Sequence, residues 1–279
     1  MGIFSGCLLA CDIDGTLMAN GKINPRNIEK IDYFMSEGGY FSLSTGRTVG
    51  AVGPVLSKLK RVSPSIVANG SMIYDFENRK VLDELYIPKS DYKAVKSVLE
   101  SGIDAGIEAH SGEKVLTVRA NAETRDHQEY EWLESEEVTF EEAAKYRWNK
   151  VVYLFSSAED LNKVKEFVGK NAENSVFSDT SAVIKGRKRE YYEQFPKGVS
   201  KGSALDKLSK ILKIDKGCVF AAGDYYNDME MLEKADISAV PADSPEEVAA
   251  CADFRAGSCE DGAVADFIDY LTEIRKGMV

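Results

Sequence analysis

Positive charge is in short supply in this chain. Its 279 residues hold 35 lysines and arginines against 46 aspartates and glutamates, a formal net charge of −11. That balance argues against nucleic acid or an anionic membrane as the main partner. It leaves room for a small anionic substrate, because a bound cation can reverse the field in one pocket. Long apolar runs are missing too, and none approaches the roughly 20 residues of a membrane span. The start, Met1-Gly2-Ile3-Phe4-Ser5, lacks the basic residues and cleavage site of a signal peptide. Cysteine is sparse: five residues, an odd number, without metal-type spacing. They read as free thiols in a reducing cytoplasm. No arginine closely follows Cys7 or Cys11, which excludes a cysteine-phosphatase loop and leaves both as core filler. The two histidines, His110 and His127, are read as structural or surface residues. There are no internal repeats and no low-complexity tracts.

Hydrophobic residues make up 44% of the chain, enough for a substantial core, and the length suits one large domain or two. The most informative stretch is Leu8-Leu9-Ala10-Cys11-Asp12-Ile13-Asp14-Gly15-Thr16-Leu17. An apolar run reads as a buried strand and stops at two aspartates one residue apart, where Gly15 permits a sharp turn. Carboxylates at the mouth of a buried strand cost desolvation energy unless a cation or polar partners compensate. Alone, the pattern fits a solvated turn as well as a cation site.

Further along, Asn24-Pro25 reads as a helix start and Gly38-Gly39 as its end. Tyr40 to Ser44 reads as a second strand running into Thr45-Gly46-Arg47, and Ser65 to Ala68 as a third, followed by a hairpin-type turn at Asn69-Gly70. Alternation of strand and helix is the pattern of a parallel sheet covered on both faces. After Tyr86-Ile87-Pro88 the rhythm changes. Short strands are expected at Ala105 to Ala109, Val115 to Val118, Lys150 to Phe155, Ser175 to Phe177, Ala182 to Ile184 and Glu190 to Phe195. The acidic segment Glu129 to Glu142 reads as a solvated helix face. The first pattern then resumes: Ser200 caps a helix, Cys218 to Ala222 is a strand ending in Gly223-Asp224, and Ile237 to Val240 is a last short strand. The expected architecture is a doubly wound α/β parallel-sheet core, residues 1–84 and 190–279, with an inserted α/β cap domain at 85–189. Hinges are expected near Ile87-Pro88 and Gln194-Pro196.

Ligands of open parallel sheets bind beyond the carboxyl ends of the strands. Three strands here end in polar groups, Asp12/Asp14, Thr45-Gly46 and Gly223-Asp224, and Lys201 opens a helix. Singly, each has an ordinary explanation as a cap, a turn or a surface lysine. Jointly they suit attack by a carboxylate on a phosphate monoester, where like charges must be offset. Mg²⁺ does this through oxygen ligands, which Asp12 and Asp224 can supply. Lys201, Thr45 and backbone N–H groups at helix starts can bind phosphoryl oxygens. Asp14 can protonate the leaving oxygen and later deprotonate water.

Through the segments Asp12–Thr16 (DIDGT), Ser44–Arg47 (STGR), Ala68–Gly70 (ANG), Pro196–Leu205, Gly223–Leu232, Ala242–Phe254 and Glu260–Ile268, the chain resembles the haloacid dehalogenase-like phosphatases. The similarity is to their Cof-type branch with a large α/β cap. The resemblance implies phosphorylation of Asp12 and acid–base work by Asp14. It implies a Mg²⁺ ion on Asp12, the backbone carbonyl of Asp14 and Asp224, with Asp228 behind them. It implies phosphate binding by Thr45, Gly46, Lys201, Asn227 and the backbone of Ile13. Arg47 is a candidate for touching the leaving group. Tyr225-Tyr226 stand where small residues are common in the family, which bears on pocket shape and leaves the ligands intact. The partner so implied is a small phosphate ester such as a sugar phosphate. A phosphomutase or phosphotransferase, and a non-catalytic phosphometabolite-binding protein, are the alternatives.

Overall fold

The structure is a computed structural model describing residues 2–184 and 186–277, without the side chains of residues 181–184 and 188. The chain divides into two units, Met1–Gly46 with Gly53–Asp83 and Ser200–Val279, and Arg47–Val52 with Glu84–Val199. Among the described residues, no helix is long and apolar enough to cross a membrane.

The first unit is built on a five-stranded sheet in the order Phe254–Arg255, Ile237–Val240, Val219–Ala222, Leu8–Cys11, Tyr40–Leu43. All neighbours are parallel. The chain starts in Leu8–Cys11, moves outward to Tyr40–Leu43, and later returns to the opposite side, so Leu8–Cys11 lies at the switch point of a doubly wound sheet. Its four residues are fully buried. Leu8 and Ala10 join Leu205, Leu208 and Met231 in one apolar cluster. Pro25–Ser36 is a helix because Asn24 accepts the Arg26 N–H and Pro25 fits the first turn. It packs on the last helix, Ala263–Arg275.

Ser65–Val67 does not continue the parallel sheet as expected. It forms a separate three-stranded sheet with Met72–Asp75 and Lys80–Glu84, and meets the main sheet in one parallel bridge from Ser44 to Ile66. The cause is the turn that follows it. Ala68, Asn69 and Gly70 all have positive φ, so the chain reverses at once and pairs antiparallel with its successor.

The second unit carries a six-stranded sheet in the order Ser135–Glu137, Lys114–Arg119, Gly106–Ser111, Lys150–Phe155, Arg187–Pro196, Ser175–Ile184. One face buries Ile107, Ala109, Val151, Tyr153 and Phe155 with Val95, Val98, Val164 and Val168 of the helices Lys93–Glu100 and Ala158–Gly169. The three strands expected after residue 175 are a single long hairpin. Because its second strand runs to Pro196, the unit extends to Val199. Of the two stretches expected to act as hinges, each has one residue bonded within this unit: the Ile87 N–H donates to the Trp148 carbonyl, and the buried Gln194 accepts from the Tyr153 hydroxyl. The acidic segment is not one helix face. Helix Ala122–Glu131 stops where Trp132 turns left-handed at φ 53, an exposed edge strand Ser135–Glu137 follows, and a Thr139–Glu142 capping box starts a short helix.

Alternation along Gly106–Ser111 puts Glu108 and His110 on the sheet's opposite face, both buried. Glu108 accepts from Gln128 and lies 2.8 Å from His127 Nδ1 and 3.6 Å from His110 Nε2. Nearby, Lys150 pairs with Glu193. Burial opposes charge on Glu108, yet His127 and His110 hold its carboxyl well below the usual range. Burial also opposes charge on His127, but Glu108 and Glu131 hold its pKa above the ordinary 6.5 against Lys150. Burial pulls His110 below 6.5, with Lys150 and His127 adding to it and Glu108 resisting.

The signs therefore differ. His127, with a raised folded value, stabilises the protein fully below about pH 6.5 and loses this as pH rises through the folded value. His110, with a lowered one, imposes no penalty above about pH 6.5 and an increasing one as pH falls toward its folded value. In urea unfolding, the stability deficit of His127→Gln should shrink as pH rises above neutrality. His110→Gln should gain on the wild type as pH falls. Differences that stay constant with pH would contradict the arrangement.

Candidate active site

The strands of the first unit end level. Cys11 is registered with Ala222 on one side and Leu43 on the other, so the residues that follow emerge at one edge. The Asp12 N–H still donates to the Ala222 carbonyl at 2.9 Å, which extends the ladder one step and keeps the carboxylate in the buried layer. Lys201 comes from the first turn of the helix Lys201–Leu212, started by a Ser200–Ser203 capping box. Its side chain is 1% exposed, and its ammonium donates to Asp12 Oδ1 at 2.7 Å and to Asp228 Oδ1 at 2.6 Å. The other Asp228 oxygen accepts the N–H groups of Asp224 and Tyr225, at 3.0 and 3.1 Å. Asp228 therefore holds both the lysine and the loop that presents Asp224.

Asp224 is fixed from the far side. Thr16 donates its hydroxyl to Asp224 Oδ1 at 2.8 Å. Gly15, at φ +89, lies so close that a Cβ there would sit 2.3 Å from Asp224 Oδ2. Glycine is thus required twice, for the backbone angle and for the approach. Asp12, Asp224 and Asp228 each offer an oxygen within 4.8 Å of the others. An all-carboxylate donor set of this kind suits a hard divalent cation. Asp14, two residues on, is exposed, in a turn closed by the Met18 N–H on the Ile13 carbonyl. Ile13 itself is buried.

Thr45 is buried, with its N–H on the Ile66 carbonyl and its own carbonyl accepting from the Asn69 N–H. Gly46 lies against Asn69. Asn227, exposed, donates its side-chain amide to Asn69 Oδ1 at 3.0 Å. Arg47 groups with the second unit, where its guanidinium donates to the Ala51 carbonyl and lies 5.5 Å from the Trp132 ring centre. Sequence reasoning assigned no role to Thr16 or Asn69. Both lay inside recognised segments, but their partners are distant in the chain.

Electrostatics make the cluster demanding. Burial pushes the Asp12 pKa well above its ordinary value, with Asp228, Asp224 and Asp14 adding and Lys201 opposing. Asp224 is pushed up to about 6 by burial and Asp228. Burial disfavours charge on Lys201, yet Asp12 and Asp228 keep it firmly protonated. One ammonium shared by two of three clustered carboxylates leaves net negative charge that further positive charge would relieve.

A parallel doubly wound sheet with a carboxylate cluster at its switch point defines a class, and comparison with known proteins places the chain within it. Residues 9–268 match the model of the haloacid dehalogenase-like hydrolases, and the chain belongs to that family. Among curated proteins it is similar to the 5-amino-6-(5-phospho-D-ribitylamino)uracil phosphatase YcsE of Bacillus subtilis, 26% identical over 94% of each chain. It is also similar to the pyridoxal phosphate phosphatase YbhA of Escherichia coli, 25% identical over 94% of this chain and 97% of that one. Among solved structures, TM0651 from Thermotoga maritima superposes with a TM-score of 0.82 at 21% identity, covering 95% of this chain and 97% of that one. A haloacid dehalogenase-like hydrolase from Bacteroides thetaiotaomicron gives 0.81 at 19% identity, covering 95% and 99%. These structures share the fold.

Removing Lys201 strands two buried carboxylates. Lys201→Met should destabilise the protein by about 3–5 kcal/mol, the range for breaking a buried pair by deleting one partner. The exposed Lys197→Met should change stability by no more than about 0.5 kcal/mol. Equal urea midpoints for the two variants would show that the buried ammonium does not hold the cluster together.

Proposed function

We propose that this protein is a phosphatase that hydrolyses small phosphorylated metabolites, sugar phosphates among them, through a phosphoryl group carried on Asp12. The observation that supports the reading most is the Asp12 carboxylate, buried at the switch point, held by Lys201 and faced by Asp224. The relatives named for phosphatase activity on small phosphate esters point the same way.

The three clustered carboxylates suit Mg²⁺; Asp12, Asp224 and the backbone carbonyl of Asp14 would hold it, and when bound the ion would offset repulsion between a carboxylate and a phosphate dianion. The chain's own residues do the rest. A carboxylate oxygen of Asp12 attacks phosphorus as the bond to the leaving oxygen breaks, giving an acyl phosphate. Asp14 gives its proton to that leaving oxygen. It then takes a proton from the water that attacks phosphorus, and the phosphoryl–Asp12 bond breaks to release inorganic phosphate. Lys201, the Thr45 hydroxyl and N–H groups of Ile13 and Gly46 hold the phosphoryl oxygens, and Asn227 adds a side-chain amide. Asp228 keeps Lys201 aimed at Asp12.

Phosphate release from p-nitrophenyl phosphate and from a panel of sugar phosphates, with Mg²⁺ and with chelator, tests the activity. Release is expected with Mg²⁺ and should be largely lost on chelation. Asp14→Asn separates the roles. General acid–base catalysis is worth roughly 10²- to 10⁴-fold. The variant should lose that much phosphoryl-transfer rate on a sugar phosphate and much less with p-nitrophenolate, which leaves without a proton. Equal losses of the single-turnover rate on both substrates would reject Asp14 as the acid.

A further inference from the structure

Three consecutive residues, Ala68, Asn69 and Gly70, have φ of 49, 54 and 100. Glycine adopts such angles freely and asparagine does so at some cost, but alanine has no polar side chain to compensate. A strained turn persists when its surroundings over-determine it, and strain of this kind gathers at functional sites. Here the surroundings are the proposed phosphate-binding elements, all within the first unit.

The Asn69 N–H donates to the Thr45 carbonyl at 2.9 Å. Its carboxamide covers Gly46 so closely that a Cβ on Gly46 would lie 3.2 Å from both amide atoms. Gly70 lies under Ser200, the cap of the Lys201 helix, and a Cβ on Gly70 would sit 2.2 Å from the Ser200 carbonyl oxygen. Asn69 Oδ1 accepts from Asn227 Nδ2 at 3.0 Å, a bond spanning 158 residues. One short turn thus touches the Thr45-Gly46 loop, the start of the Lys201 helix and Asn227.

We propose that Asn69 is a positioning residue for phosphoryl binding, acting through Asn227; this rests on the phosphatase reading above. Asn227 is exposed, so its carboxamide would otherwise turn freely among rotamers. Bonding one of its N–H groups to Asn69 fixes the plane of the amide. The second N–H of the same group is then the donor that a phosphoryl oxygen takes. The left-handed backbone is what lets a single residue hold Thr45 through its main chain and Asn227 through its side chain.

The test is Asn69→Gly, which keeps the left-handed turn and the Thr45 bond and removes only the carboxamide. Steady-state hydrolysis of p-nitrophenyl phosphate, inhibition by inorganic phosphate and urea midpoints would be measured for wild type, Asn69→Gly, Asn227→Ala and the double variant. The expected result is an unchanged urea midpoint with KM and the inhibition constant for phosphate both raised about 10-fold, the order of one lost hydrogen bond to an anion. In the Asn227→Ala background the same substitution should add little, because residues acting through one contact are not additive. An active wild type whose KM and phosphate inhibition are untouched by Asn69→Gly would overturn the inference alone. So would full additivity with Asn227→Ala, or a loss of activity that only tracks a loss of stability. A wild type that neither hydrolyses the ester nor binds inorganic phosphate would overturn this inference together with the reading beneath it.

Discussion

A single buried ammonium shared between two buried carboxylates is the constraint on which the first unit depends. Taking Lys201, Asp12 and Asp228 out of water is expensive, and close hydrogen-bonded geometry is needed to offset it. That geometry spans the chain: Asp12 and Lys201 are 189 residues apart. It requires the strand Leu8–Cys11 at the sheet's switch point and a helix capped so that its first residue points at the strand end. It also requires a glycine at 223, where a Cβ would lie 2.5 Å from the Asp228 side chain. The same charges that strain the fold are the ones the proposed mechanism uses. Burial works against charge on Asp12 and Lys201 works for it, so the ammonium favours the carboxylate form that the proposed attack on phosphorus needs.

The parts of this site that could be read in the sequence are those whose signal is local. Asp12, Thr45 and Asp224 each follow a short buried strand, and Lys201 follows a serine cap, so a window of a few residues places them at strand ends and a helix start. In a parallel sheet those ends fall on one edge, and that topological rule by itself brings them together. The pairings were not legible. Thr16 on Asp224 and Asn69 on Asn227 join residues 208 and 158 apart, and no periodicity reports which polar groups meet across such distances. Asp228 was placed behind the metal ligands by resemblance, but its double engagement with Lys201 and two backbone amides needed the structure.

The second unit was less legible for a related reason. Strand candidates were read from apolar character, so the polar middle of the hairpin Ser175–Ile184 and Arg187–Pro196 broke one pair into fragments. The acidic stretch after residue 129 has helical composition, yet Trp132 and the Thr139–Glu142 box end and restart the chain within it. The histidines, read as structural or surface residues, are both buried. Their arrangement around Glu108 follows from β alternation on a face that is both buried and polar, a combination composition does not announce.

Everything proposed about the chemistry passes through one covalent bond, between phosphorus and the Asp12 carboxylate. The measurement that tests it most directly is acid quench during turnover of a phosphate ester, followed by borohydride reduction of the acyl phosphate and peptide mapping by mass spectrometry. The account predicts reductive modification at Asp12 in the wild type and none in Asp12→Asn. Turnover that leaves Asp12 unmodified at every quench time, or that places the modification on another residue, would contradict it.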